Sequence, residues 1–538
     1  SSDMVIDEID DFSGKDLIAI GRLIHLAGML GRKVMISSAT IPPDLAEGYF
    51  NAYREGWQIF CQTRNAKPEI GCAWIDEFNT EVSSNTGRVC KDAVLAYREQ
   101  HAKFIEKRAA KLLKQVVKRK ADISPCEQLF AAFPDKPNND EVIANKQQAY
   151  FKLIIDSAIN KHHYQHSIDA QSQLAVSFGV VRMANIQPCI ALAQYLLNVN
   201  VPPDTQIRTM AYHSQQVLLM RHKQEEHLDK VLKRKQPEDE PPRAFSEPAI
   251  RRHLEQISSQ ETQVRNVLFI LVATPVEEVG RDHDFDWAVV EPSSFRSIIQ
   301  LAGRVRRHRV TAVSAPNISL MQYNWQGIKN KHREDARVFT RPGFEGEGKA
   351  KLESHSLNDL LDANALLERL DAIPRIKKPQ PLQPTRQLAD LEHSVIEGLL
   401  ANYKSESKGP AALQGWLREA WFLTAYPQKL APFREGPPNL KIFLTFDEEQ
   451  QECIFCEKNE RGFPVPREQI LNIKRVNLKP ESAARLWLAR DYETEVDVLA
   501  EQQEKSLRSI SMRYGELSFP HSEKANYEYN DQFGLIRV

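Results

Sequence analysis

Apolar residues near the start of the chain fall into short runs that stop at acids or hydroxyls. Met4-Val5-Ile6 ends on Asp7-Glu8, as a buried parallel strand would. Residues 15–32 follow with Leu17, Ile20, Ile24, Ala27 and Leu30 on one helical stripe, and Val34-Met35-Ile36 forms a second run ending at Ser37-Ser38-Ala39-Thr40. Strand, helix, strand with polar strand ends predicts an α/β unit whose ligands sit at the carboxyl edge of the sheet. From about 80 to 170 the rhythm breaks into charged, helical sequence interrupted by Ser124-Pro125 and Pro134-Asp135-Lys136-Pro137. Strand-like runs resume at Leu174–Val181, Gln206–Tyr212, Val267–Ala273 and Trp287–Val290. Lys233–Pro248, rich in Lys, Glu and Pro, reads as a surface excursion, and the proline-rich Pro374–Pro384 marks a boundary. The expected organisation is therefore the end of one α/β lobe over 1–80, a helical insertion or linker over 81–171, a second lobe over 172–330, a linker over 331–387, and an accessory domain over 388–538. Trp416, Trp421 and Trp487 are available for the core of that last module.

A length of 538 residues is too great for one core and agrees with several domains. The longest apolar run, Val267–Ala273, is far short of a membrane span, and Ser-Ser-Asp-Met at the start has no secretory pattern. Seven cysteines make no disulfide framework, so the expected location is a reducing cytoplasm with no membrane partner. Cys453-Ile-Phe-Cys456 lacks a second ligand pair and reads as two partly buried thiols rather than a zinc site. A formal net charge of −1 means that any nucleic-acid contact comes from local patches. One patch is visible: His101–Lys120 holds eight Lys/Arg and one acid, Glu106. Lys103, Lys107, Lys111, Lys114 and Lys118 recur at helical spacing, either as a solvated face or as a rail for DNA phosphates.

Four elements carry chemistry. Asp7-Glu8-Ile9-Asp10 sits on a strand end, where an Asp can hold the Mg²⁺ of bound ATP and a Glu can orient the attacking water. Ser38-Ala39-Thr40 ends the adjacent strand and, with Asp10, can link the nucleotide site to movement between lobes. Thr274-x-x-x-Glu278-x-Gly280-x-Asp282 follows the most apolar run, with a glycine where backbone must approach a ligand. Gln300-Leu-Ala-Gly-Arg304-Val-Arg-Arg307 completes the set; on a helix, Arg304 and Arg307 share a face and could reach one γ-phosphoryl group as arginine fingers.

In this order the four elements resemble motifs II, III, V and VI of superfamily 2 helicases. The resemblance implies two RecA-like lobes with ATP between them and a single strand across their tops. Asp7, Glu8, Arg304 and Arg307 match the catalytic positions, and Gly280, Asp282 and Gln300 the ATP-binding side of the second lobe. No Gly-x-x-x-x-Gly-Lys-Ser/Thr occurs, so the phosphate cradle is absent from this chain and is expected upstream, and the chain alone is expected neither to bind ATP tightly nor to hydrolyse it. Finer detail is similar to the helicase-nucleases of type I CRISPR systems, I-F subtype: Val181–Ile186, Tyr212-His213-Ser214, Val279–Asp286, Arg341–Glu345 and Tyr529–Leu535. That family implies DNA contacts from Arg182, His213, Ser214 and Thr274 beside Lys103, Lys107 and Lys111. It also implies an upstream HD nuclease with its own divalent metal, a fused adaptation-type domain, and an N-terminal half of the same protein. The implied partners are single-stranded DNA, a crRNA-guided surveillance complex, the adaptation integrase and phage anti-CRISPR proteins. His162, His163 and His166 have no HD dipeptide and read as helix packing. Other readings are a restriction-type translocase, an RNA helicase, or a degenerate motor serving as a docking scaffold.

Overall fold

The computed structural model describes residues 2–85, 90–133, 140–278, 280–330, 335–340, 343–346, 351–433, 439–522 and 525–538, without the side chains of Asp10 and of 84–92. The Pro134–Pro137 and Arg341-Pro342 segments lie outside them. Strand β1 (Met4–Ile6) and β2 (Val34–Ile36) pair in parallel, Met4 beside Val34 and Ile6 beside Ile36. Helix α1 (Lys15–Met29) makes the crossover, burying Leu17, Ile20, Ile24 and Ala27 against α2 (Pro43–Arg64). The two helices cross very closely: a Cβ on Gly28 or Gly56 would meet the other helix's backbone at 2.4 or 2.1 Å. A hairpin of β3 (Ile70–Ile75) and β4 (Thr80–Asn85) leads into α3 (Cys90–Leu112).

The central sheet joins β5 (Ala121–Ser124), β6 (Ser167–Ile168), β7 (Ala175–Arg182), β8 (Thr205–Tyr212), β9 (Asn266–Ala273), β10 (Trp287–Val290) and β11 (Ile318–Met321). Its order is β5-β11-β10-β7-β9-β8, every pair parallel, with β6 added antiparallel to β7. β7, β9 and β10 are buried along almost their whole length, as strands covered on both faces must be. One face packs Val181, Ile207, Ile270 and Val272 against α5 (Asp140–Tyr164) and α6 (Ile186–Asn198). The other packs Phe178, Val180, Phe269 and Leu271 against α7 (Leu218–Leu232), α8 (Pro248–Gln260) and α9 (Phe295–Ala302). The α/β fold with a parallel sheet core is the one the motif order implies.

Three features differ from the sequence reading. The segment expected to be a helical insertion supplies edge strand β5 and covering helix α5, with α4 (Glu127–Ala132) between them; only the hairpin and α3 stand apart. A four-residue strand is too short to betray itself by alternation, and its partner β11 lies almost 200 residues further on. The tryptophans expected in a C-terminal core are shared out instead. Trp416 donates to His25 of α1 at 3.2 Å, and Trp487, fully buried, packs on Phe178 and Phe269 of the central sheet. Residues 388–418 thus cover α1 and α2, and the remaining accessory unit is built on β12 (Asn439–Asp447), β13 (Glu452–Lys458), β14 (Pro464–Pro466) and β16 (Glu516–Pro520), with a second sheet of β15 (Ile473–Arg475), β17 (Tyr527–Asn530) and β18 (Gly534–Arg537). Lys233–Pro248 is also less of an excursion than its composition suggests, since Ala244 and Phe245 are buried and Arg234 pairs with Asp286 at 2.8 Å.

Candidate motor site between the two α/β units

On the acid side, the β1–β2 register sets Asp7 beside Ser37, one step past the Ile6–Ile36 pair. The Ser37 hydroxyl donates to Asp7 Oδ1, which also accepts from the Glu8 amide at 3.0 Å. Glu8 adopts left-handed backbone (φ 49°, ψ 49°), a conformation that costs a non-glycine residue about 1–2 kcal/mol. It is held there by the following turn, Ile9–Asp11, whose Ile9 is fully buried and donates its amide to Ser37 O at 3.2 Å. Both carboxylates stay exposed. Ser38 is half-buried and Thr40 buried; the hydroxyl on Asp7 belongs to Ser37. The Asp10 side chain lies outside the described residues.

On the arginine side, β9 runs into Thr274, whose amide donates to Tyr212 O at 3.1 Å. Gly280 has φ +65° with open space around it, so backbone conformation rather than crowding calls for glycine. Helix α9 ends at Ala302, so Arg304 and Arg307 do not share a helix face as the spacing predicts. After the helix, Val305 bridges to Phe285, and the Phe285 amide donates to Arg304 O at 2.8 Å. What brings the arginines together is the segment around Gly280. Arg304 donates to the carbonyls of Arg281 and, at 2.6 Å, Glu278; Arg307 Nε donates to Asp282 Oδ1 at 2.9 Å. Asp282 also meets Lys235 at 2.7 Å and His308 at 2.9 Å. Partial burial pushes its carboxyl up, but Lys235, Arg307 and His308 together hold it down to about 2. Arg119, at the end of the basic stretch, donates to Val305 O at 2.9 Å and Gly303 O at 3.4 Å and so braces the same corner.

The two sides meet. Arg296 Nη1 donates to Phe12 O at 3.0 Å and Gln300 Nε2 to Asp11 Oδ1 at 3.4 Å, four residues apart on one face of α9. Burial lowers the Arg304 pKa, and the carboxylates that oppose this include Glu277, Glu8 and Asp282. The Nε of Arg304 is buried without a hydrogen-bond partner.

The expected DNA-binding set divides. Ser214 is exposed and Thr274 buried. Arg182 is corrected to a structural strut: fully buried, it donates to Glu278 Oε1 at 2.7 Å and Glu291 O at 2.9 Å, because it ends a central strand beneath the loops. His213 is corrected likewise; the C-terminal strands cover it, its Nε2 bonds Phe533 O at 3.0 Å, and burial pushes its pKa down to about 3. The lysine rail stops with α3 at Leu112, before Lys114 and Lys118. Lys107 pairs with Glu81 at 2.7 Å and Lys111 with Asn79 at 2.7 Å, so the hairpin occupies both, leaving Lys103 exposed. Elsewhere, His162 bonds Ser177 at 2.7 Å as a packed helix residue, and Cys453 and Cys456 are both buried. Among the described residues no group of three or more His, Cys, Asp or Glu could hold a metal ion, and no helix is long and apolar enough to cross a membrane.

A family model described as CRISPR-associated nuclease/helicase Cas3, C-terminal, matches residues 175–310, the stretch from β7 through Arg307. The nuclease/helicase Cas3 subtype I-F/YPEST of Pseudomonas aeruginosa is 37% identical over 99% of this chain and 47% of its own length. That of Pectobacterium atrosepticum is 35% identical over 97% of this chain and 45% of its own. Over nearly its whole length the chain is therefore similar to the subtype I-F Cas3 proteins. It spans about half the length of these curated Cas3 relatives. Among solved structures, T. fusca Cas3 with AMPPNP aligns at a TM-score of 0.42 and 11% identity, over 99% of this chain and 52% of that one. Sequence reasoning missed Ser37 and Arg296. Carrying the parallel register one residue beyond Ile36 would have found Ser37, whereas nothing in the sequence marks Arg296.

Proposed function

We propose that this chain is the motor portion of a Cas3-type protein, an ATP-driven single-stranded DNA translocase and helicase that feeds target DNA to an HD nuclease in the rest of that protein during CRISPR interference. The observation that carries the reading is the contact of Gln300 with Asp11 and of Arg296 with Phe12, which sets the end of β1, with Asp7 and Glu8, against the helix that leads to Arg304 and Arg307. The donor set suits Mg²⁺ and ATP: Asp7 offers hard carboxylate oxygens, and Arg304 brings a buried guanidinium with an unpartnered Nε. Asp7 would hold the ion and Glu8 orient water, while Arg304 and Arg307 face developing negative charge and Gly280, Asp282 and Gln300 line the nucleotide side. Bound Mg·ATP supplies the phosphoryl group and the cation that offsets its charge. Asp10, Ser38 and Thr40 fit a role in relaying lobe movement, and Ser214, Thr274 and Lys103 remain positions where a strand could lie. A crRNA-guided surveillance complex fits as the partner that delivers DNA.

The test uses the full-length protein. Asp7→Ala and Glu8→Gln are expected to abolish DNA-stimulated ATP hydrolysis while cutting of single-stranded DNA largely survives, because the motor and nuclease use different residues. Near-normal hydrolysis by either variant would show that the end of β1 is not the metal and water site.

A further inference from the structure

Both arginines of the cleft are held by Glu278, Arg281 and Asp282, residues that flank Gly280, where an added Cβ would meet only open space. Something must fix that segment from behind. The Arg281 side chain is tied to the lobe: its Nη2 donates to the Tyr212 hydroxyl at 2.7 Å and lies 2.5 Å from Glu225 Oε1. The Tyr212 hydroxyl in turn donates to the same Glu225 oxygen at 2.8 Å, which closes a three-membered polar cluster. Tyr212 ends β8 and is fully buried, and Glu225 sits on α7, so both anchors belong to rigid elements of the second lobe. The Arg281 carbonyl receives Arg304 while its side chain is held by the cluster. On the far side, the residues after Tyr212 are clamped by the C-terminal strands: Leu535 N donates to Gln215 O at 3.1 Å and Gln216 Nε2 to Gln532 O at 3.1 Å. A Cβ on Gly534, already at φ +69°, would meet Gln215 O at 2.0 Å, so the clamp is close-fitting.

We infer that Tyr212, Glu225 and Arg281 are positioning residues for Arg304: through the Arg281 backbone they set where its guanidinium lies, and they tie that placement to the loop clamped by the C-terminal strands. The inference rests on the ATPase reading of Arg304. Removing a charge-assisted hydrogen bond from the cluster should leave nucleotide binding intact and impair the step that needs a well-placed arginine.

The experiment measures DNA-stimulated ATPase of the full-length protein carrying Tyr212→Phe, Glu225→Gln or Arg281→Lys, alone and combined with Arg304→Lys. Each single variant is expected to lower kcat about tenfold, the effect of roughly one hydrogen bond lost in the transition state. KM for ATP should stay within about twofold and melting temperature unchanged. In the Arg304→Lys background the same substitutions should cost almost nothing more, since they act through that residue. Additive losses, unchanged kcat in all three single variants, or parallel changes in kcat, KM and melting temperature would overturn the inference. Normal turnover by Arg304→Lys alone would instead overturn the ATPase reading, so the two failures are distinguishable.

Discussion

At the scale of single residues, Asp7 and Glu8 are exposed, with Glu8 on strained backbone, whereas Arg304 is buried, Arg307 is exposed, and both arginines are engaged. Glu8 is held left-handed by the turn whose buried Ile9 follows it, and its side chain stays exposed. Arg304 grips two main-chain carbonyls, whereas Arg307 makes an ion pair with Asp282. The guanidinium holds its donors in a rigid planar fork that an ammonium lacks, so lysine keeps the charge but not the geometry. Arg304→Lys or Arg307→Lys in the full-length protein is expected to cut ATP turnover by roughly 10³-fold or more, the scale of arginine fingers, with little change in ATP affinity. Strand binding without nucleotide should stay near wild type. Measuring turnover, nucleotide affinity and strand affinity on the same variants decides it. Lost strand binding with normal hydrolysis would move these arginines to the DNA groove.

Among the elements, α3 shows how a neighbour can cancel a surface pattern. Its lysines have the spacing of a phosphate rail, yet the β3–β4 hairpin lies against it and takes Lys107 and Lys111. Reversing the charge of those two residues is therefore expected to leave DNA affinity and its salt dependence unchanged. Contacts to single-strand phosphates would have flattened the slope of log affinity against log salt by about 0.7 each. A flattened slope in a salt titration of the Lys107→Glu/Lys111→Glu variant would restore the rail. Helix α9 shows the opposite case. Arg296 and Gln300 stand one turn apart and both reach the β1 side, so this short helix joins the two halves of the cleft.

For the whole molecule, the tight interlocking of parts leaves histidines buried far from solvent. Burial pushes His25, His101 and His162 each down to about 4 and His213 to about 3, against an ordinary value of 6.5. Their folded pKa values are depressed, so the unfolded chain binds more protons below about pH 6.5. The stability they contribute is full above that value and is lost as pH falls toward 4, by up to about 1.4 kcal/mol per unit and per histidine. The melting temperature is expected to drop steeply between pH 6.5 and 4.5, and His213→Gln to soften the drop. A flat profile over that window would show that these rings are not kept neutral by the fold. His25 sits between α1 and Trp416, His162 between α5 and the central sheet, and His213 beneath Phe533, so acid should loosen the joints between units.

What the sequence determined by itself is what depends on local order along the chain. β1, β2, β7, β8, β9 and β10 are legible because a buried strand needs a short apolar run and a parallel neighbour needs a helix between. Asp7, Glu8, Gly280, Asp282, Arg304 and Arg307 stand out in the sequence by their motif-like spacing, and the fold joins Arg304 and Arg307 to the segment around Gly280. Tertiary structure alone decided which side chains remain free for that chemistry. Arg182 and His213 are indistinguishable in sequence from exposed binding residues until the loops and C-terminal strands close over them. The edge strand β5, the partition of Trp416 and Trp487 between units, and the cluster of Tyr212, Glu225 and Arg281 all depend on residues far apart in the chain. Periodicity reports the neighbours of a residue along its own helix or strand; it carries no record of which distant surface will cover it.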